Sequence, residues 1–171
     1  MKVLVIPDVH LKPWMFQRAS ELMKEAKADR AVCLMDIADD WRQQFNLDLY
    51  EHTYDTAIAF AGEYPDTLWC YGNHDLCYLW NQRETGYSKI APRLVCEKLQ
   101  ALRDTLSDER QLAYLHRIDN VLFSHGGLTA AGKKTKAMKA YSAFLQKKTV
   151  KVGDDAVPAA KIKIRNCLHQ Q

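Results

Sequence analysis

The chain lacks any uninterrupted apolar stretch near the roughly 18 residues needed to cross a bilayer, and its opening MKVLVIPDVH meets Asp8 before a signal-like segment develops. No membrane span is expected, and the cytoplasm is the default location. Glycine and proline are scarce, at seven and five residues, which excludes collagen-like and low-complexity architectures. The five cysteines, Cys33, Cys70, Cys77, Cys96 and Cys167, are odd in number and show no CxxC spacing. Neither a disulfide framework nor a thiolate zinc site is expected; reduced and mostly buried thiols are. Disorder is excluded in turn, because 47% of the residues are hydrophobic, enough to build a core. The 171 residues suit one compact domain.

The formal charge of +3 is a difference between unlike regions. Up to Leu128 there are 14 Lys and Arg against 19 Asp and Glu, whereas residues 129–171 carry 10 against two. That basic segment is atypical of the rest. A solvated helix face is its preferred reading, with contact to nucleic acid through Lys133, Lys134, Lys136, Lys139, Lys147 and Lys148 as the alternative.

Along the chain, short apolar runs alternate with helical periodicity. Val3–Ile6 reads as a strand buried on both faces and stopped by Pro7, so that Asp8 and His10 sit just past its end. From Pro13, residues Met15, Ala19, Leu22, Met23 and Ala26 follow helical spacing. A second strand over 31–35 runs into Asp36, Asp39 and Asp40. A helix over 47–61 ends at Tyr64-Pro65-Asp66, and a third strand over 67–71 delivers Gly72-Asn73-His74-Asp75. A helix over 90–106 follows. Strands over 112–116 and 120–124, joined through Arg117-Ile118-Asp119 as a hairpin connection, lead to Ser124-His125-Gly126-Gly127. The alternation predicts an α/β fold with a largely parallel sheet, in which functional groups gather beyond the carboxyl ends of the strands.

Carboxylate, imidazole and amide oxygen together suit Mn²⁺, Fe or Zn²⁺. Asp8-x-His10 alone is a common pair, and Asp36 alone reads as a helix cap. His52 and His116 match no such pattern and read as ordinary surface or partly buried histidines. Trp41, Trp80 and Tyr78 lie near the motifs in sequence; they are read first as core or rim packing, with stacking on a nucleobase or aryl leaving group as the alternative.

In order and at strand ends, Asp8-Val9-His10, Met35-Asp36-Ile37-Ala38-Asp39, Gly72-Asn73-His74-Asp75 and His125-Gly126-Gly127 resemble the blocks of the calcineurin-like metallophosphoesterase superfamily. The resemblance covers residues 1–128 and implies a layered α/β/β/α sandwich. It implies that Asp8 and His10 bind one metal, that Asn73 and His125 bind a second, and that Asp36 bridges the two. His74 would be the general acid, oriented by Asp39, with Asp75 supporting the loop. The two divalent ions, Mn²⁺ first with Fe, Zn²⁺ or Mg²⁺ as alternatives, would supply a metal-bound hydroxide that attacks a phosphomonoester or phosphodiester.

Three positions depart from the family's pattern. Met35 stands where the second block has glycine. Asp40-Trp41 stands where the protein-phosphatase branch, which SHGGL otherwise resembles, has Arg-Gly; a carboxylate cannot clamp a phosphate dianion, so a protein substrate is not expected. The final G-H-x-H block is missing, and the only later histidine is His169. The basic segment occupies the place of that block, which implies a sandwich lacking its C-terminal strands, with an exposed sheet edge favouring oligomers. The alternative to an enzyme is a catalytically impaired metallophosphoesterase-like module that binds or scaffolds.

Overall fold

The computed structural model describes residues 1–127. The basic segment 129–171, with Cys167, His169 and the place of any C-terminal strands, lies outside the described residues.

Four parallel strands form the central sheet: β1 (Val3–Ile6), β2 (Arg30–Cys33), β3 (Leu68–Cys70) and β4 (Leu112–Ala113), in the spatial order β1-β2-β3-β4. The register pairs Val3 with Arg30, Val32 with Leu68 and Trp69 with Leu112. Strands that follow one another across a sheet in one direction, each joined by a right-handed crossover, place all their connecting helices on one face. Accordingly α1 (Trp14–Ala26) and α4 (Pro92–Thr105) both pack against α2 (Leu47–Glu63), and the short α3 (Asn73–Trp80) packs against α4. This face holds the main core, where Ile6, Ala31, Cys33 and Trp69 meet Phe16, Tyr54, Phe60, Val95 and Leu99.

Side chains alternate along a strand, so the intervening residues point to the opposite face. There Val32 and Cys70 meet Ile118, with Val3, Leu68 and Phe123 packed alongside. The cover is an antiparallel hairpin of β5 (His116–Ile118) and β6 (Val121–Phe123). β1 is thus not buried on both faces as its apolar run suggested: Val5 is 43% exposed.

Three further expectations are corrected. The stretch over 112–116 is not one strand, because Leu112–Ala113 joins the parallel sheet and the chain then leaves it for the hairpin. Arg117 and Ile118 belong to β5, and the reversal falls at Asp119-Asn120 between the paired Ile118 and Val121, with Asp119 in the left-handed region at φ 52°. Gly72-Asn73-His74-Asp75 is not a bare loop, since α3 begins at Asn73. On α1 the inward residues are Phe16, Ala19 and Met23, while Ala26 is exposed. Cys33, Cys70 and Cys77 are free and buried, as expected, whereas Cys96 is disulfide-bonded, against the expectation of reduced thiols.

Candidate metal centre

The site lies where β1, β2 and β3 end. Past β1 and β2 the two backbones stay paired: the N–H groups of Val9, His10 and Leu11 donate to the carbonyls of Met35, Asp36 and Ile37. This carries Asp8-Val9-His10 and Asp36 beyond the strands as one unit. The pairing is bent by left-handed residues, His10 (φ 44°), Leu11 (55°), Met35 (59°), Asp36 (43°) and Asp39 (66°). Met35 therefore adopts the conformation for which a glycine is best suited, and its buried side chain belongs to the main core. The loop geometry survives the Gly-to-Met departure because tertiary packing over-determines it.

Gly72 has a different reason to be glycine. A Cβ built there would lie 2.0 Å from Asp36 Oδ1 and 2.5 Å from the Asp36 backbone nitrogen. Its bareness lets the start of α3 close onto Asp36, whose Oδ1 accepts the His74 N–H at 2.8 Å. A buried carboxylate at a helix N-terminus is favoured by the helix dipole and by that charge-assisted bond.

Asp36 Oδ2 faces two imidazoles, with His125 Nε2 at 3.1 Å and His10 Nε2 at 3.9 Å. Both rings are turned the same way by backbone carbonyls: His10 Nδ1 lies 2.9 Å from the Asp39 oxygen, and His125 Nδ1 lies 2.8 Å from that of Leu34. Donation of Nδ1–H to a carbonyl leaves Nε2 as the atom offered to the centre, the arrangement that orients metal-binding histidines. Asn73 Oδ1 is 3.0 Å from His125 Nε2, and Asp8 Oδ1 is 3.4 Å from His125 Nδ1. Asp8, His10 and Asp36 each bring a donor atom within 4.8 Å of the others. All five residues expected as metal ligands are thus gathered in one cluster.

His74 and Asp39 form a second layer of the same site. His74 Nδ1 is 3.0 Å from Asp39 Oδ2, while Asp39 Oδ1 accepts hydrogen bonds from the hydroxyls of Tyr50, at 2.7 Å, and Tyr78. Asp39 therefore sets two rings at once, His74 through its carboxylate and His10 through its carbonyl. Burial, reinforced by Asp39, pushes both phenol pKa values well up, so each stays a protonated donor. The hydrogen bond to Asp39 raises the His74 pKa against the opposing effect of burial. For His125, burial lowers the pKa, but the hydrogen bond to Asp36 and the charges of Asp36 and Asp8 prevail and push it up to about 9. A cation entering there must displace that proton.

Asp75 accepts from the Ile37 N–H and the Tyr54 hydroxyl, both at 3.1 Å and both on Oδ1, which ties the loop to α3 and α2. Its Oδ2 is buried with no hydrogen-bond partner. Burial first, and the Asp36 charge second, raise its pKa to about 7. Trp41 stands at the rim, 53% exposed, with its ring centroid 5.4 Å from that of His10 and 5.5 Å from that of His74. Tyr78 is core and Trp80 packs against it, whereas His52 is exposed. His116 is buried, with Nε2 bonded to the Trp69 carbonyl. The sequence offered no sign that Tyr50 and Tyr78 hold Asp39, because Tyr50 reads as one side of the helix over 47–61 and Tyr78 as core or rim packing.

A family model described as calcineurin-like phosphoesterase matches residues 1–157. The chain belongs to that family. The match runs past Leu128, where the motif resemblance ended, into the basic segment. No curated protein and no solved structure matches the chain significantly. Membership places the chain in the general class of metal-dependent phosphoesterases acting on phosphate esters, and among the described residues no helix is long and apolar enough to cross a membrane.

The donor set fits divalent cations. It contains carboxylate, imidazole and amide oxygens, with Asp36 Oδ2 and Asn73 Oδ1 lying 3.1 and 3.0 Å from His125 Nε2. That is the spacing of neighbouring donors around an octahedral ion with bonds of about 2.1 Å.

Proposed function

We propose that the chain hydrolyses phosphomonoesters or phosphodiesters at a dinuclear centre, with Asp8, His10 and Asp36 holding one ion and Asn73, His125 and Asp36 the other. The observation that supports this most directly is the common orientation of His10 and His125, each turned by a backbone carbonyl so that Nε2 approaches Asp36 Oδ2. A carboxylate between two such rings is the natural bridge, because its lone pairs can serve two cations. Two divalent ions in that position would activate water and neutralise the phosphoryl oxygens. His74 is the general acid: Asp39 fixes its Nδ1, which leaves Nε2 as the atom able to give a proton to the leaving oxygen. Tyr50 and Tyr78 act as positioning residues by holding Asp39 in place. Manganese as the resident metal and a cytoplasmic setting belong to the same reading.

The test is elemental analysis of the full chain after incubation with Mn²⁺, together with turnover of aryl phosphates. The expected result is metal uptake and Mn²⁺-stimulated cleavage, abolished in Asp36→Asn and strongly reduced in His74→Asn. Uptake without turnover would identify a binding or scaffold module instead, and absence of both would overturn the metal centre.

A further inference from the structure

Trp41 is one of the large apolar side chains left exposed, and it stands beside the two histidines of the site rather than on a remote surface. Its indole is not loosely placed. Gly86, at φ 85°, backs the ring so closely that a Cβ there would come within 3.2 Å of Trp41 Cε2 and 3.3 Å of Nε1. The His10 and His74 rings meet it at interplanar angles of 54° and 70°. Loop 81–91 thus supports the indole from one side and the imidazoles brace it from another, yet 53% of the residue remains open to solvent. A rigid, pre-placed aromatic face costs little ordering on binding.

Its location decides what that face meets. The group next to His74 in a bound ester is the leaving group, because His74 protonates the leaving oxygen in the function proposed above, on which this inference rests. Hydrolysis breaks the bond from phosphorus to that oxygen, forms one to the oxygen of water, and delivers a proton to the departing alcohol. The Asp40 carboxylate beside Trp41 cannot clamp a phosphate, and Lys12 is turned to that carboxylate, with Nζ 3.9 Å from Asp40 Oδ2, so this rim favours the leaving group over the phosphoryl group.

We propose that Trp41 is a specificity-determining residue whose solvent-exposed indole stacks on a planar aromatic leaving group, so that the site selects ring-bearing phosphate esters over alkyl ones. The ring can be an aryl alcohol or the base of a nucleotide, since both present the same flat face. Stacking on such a side chain typically alters affinity by roughly 5- to 150-fold.

The experiment compares phenyl phosphate, adenosine monophosphate and phosphoserine as substrates of the Mn²⁺-incubated full chain. In Trp41→Ala the ratio of kcat/KM for the ring-bearing esters to that for phosphoserine falls by about tenfold, mainly through KM, and Trp41→Phe restores it to within about threefold. Loss for phenyl phosphate alone marks an aryl leaving group, and loss for adenosine monophosphate alone marks a nucleoside. An unchanged ratio, with all three falling together, means that Trp41 only supports the loop, and overturns the proposal. A second measurement is independent of turnover: calorimetric titration with phenylphosphonate and methylphosphonate. A preference for the phenyl compound that Trp41→Ala abolishes supports the proposal even if no ester is cleaved. Equal affinities, or binding of neither, overturn it.

Discussion

The two ends of the parallel sheet are built from the same four strands and differ in nearly every physical respect. At the amino end the closing contacts are exposed: the Lys2 N–H donates to Asp29 Oδ2 at 2.6 Å, and the Asp29 N–H returns a bond to the Lys2 carbonyl at 2.9 Å. Its left-handed residue, Lys27 at φ 48°, terminates α1, where that conformation is common. At the carboxyl end five non-glycine residues are left-handed with no helix end to explain them, and Asp36, Asp39 and Asp75 are buried side by side. Strain and desolvated charge concentrate where the cation site is proposed, and the rest of the described residues are conventional. Such a concentration persists only if the surroundings enforce it.

The strongest way to break the contrast is Gly72→Ala. The added methyl overlaps both the carboxylate and the backbone of Asp36, so a loss of at least about 3 kcal/mol is expected. Chemical denaturation measures it, and metal uptake is expected to fall with it. Met35→Gly sharpens the comparison from the other direction. It relieves a left-handed residue worth about 1–2 kcal/mol but removes a buried side chain worth about 2–5 kcal/mol. A net loss of roughly 1–3 kcal/mol with metal uptake retained is expected, and a gain in stability would show that strain outweighs packing at this position.

A smaller effect separates buried histidines that hold structure from those of the site. Burial lowers the pKa of His116, against the bond to the Trp69 carbonyl. The unfolded chain takes up this proton near pH 6.5 while the folded chain resists it. The contribution of neutral His116 is therefore complete above about pH 6.5 and is lost as pH falls below it. Thermal midpoints measured from pH 7.5 to 5 are expected to fall less steeply in His116→Gln than in the wild type. At the amino end, Asp29→Asn should change stability by less than about 0.5 kcal/mol, because the contact is solvated. A larger loss in denaturant titration would erase the contrast between the two ends.

The sequence made much of the carboxyl end legible, since Asp8, Asp36 and Gly72-Asn73-His74 each follow a short apolar run, and such runs are strands whose ends are easy to read. It was less informative where short elements compete. Leu112 to His116 is continuous in apolar character, yet the chain leaves the sheet after Ala113, because β5 pairs with β6 rather than with β3. α3 was missed because Asn73, His74 and Asp75 are poor helix formers; it forms where the His74 N–H meets Asp36.

What the sequence by itself determined is the order of β1 to β3 and of the longer helices α1, α2 and α4, and the identity of the ionisable groups at the strand ends, because both are written in local apolar pattern and residue type. Only the tertiary structure decided that Met35 takes a glycine's conformation, that Tyr50 and Tyr78 converge on Asp39, and that Trp41 rests on Gly86 beside His10 and His74. Those outcomes depend on distances between segments far apart in the chain, which local pattern cannot encode and close packing fixes.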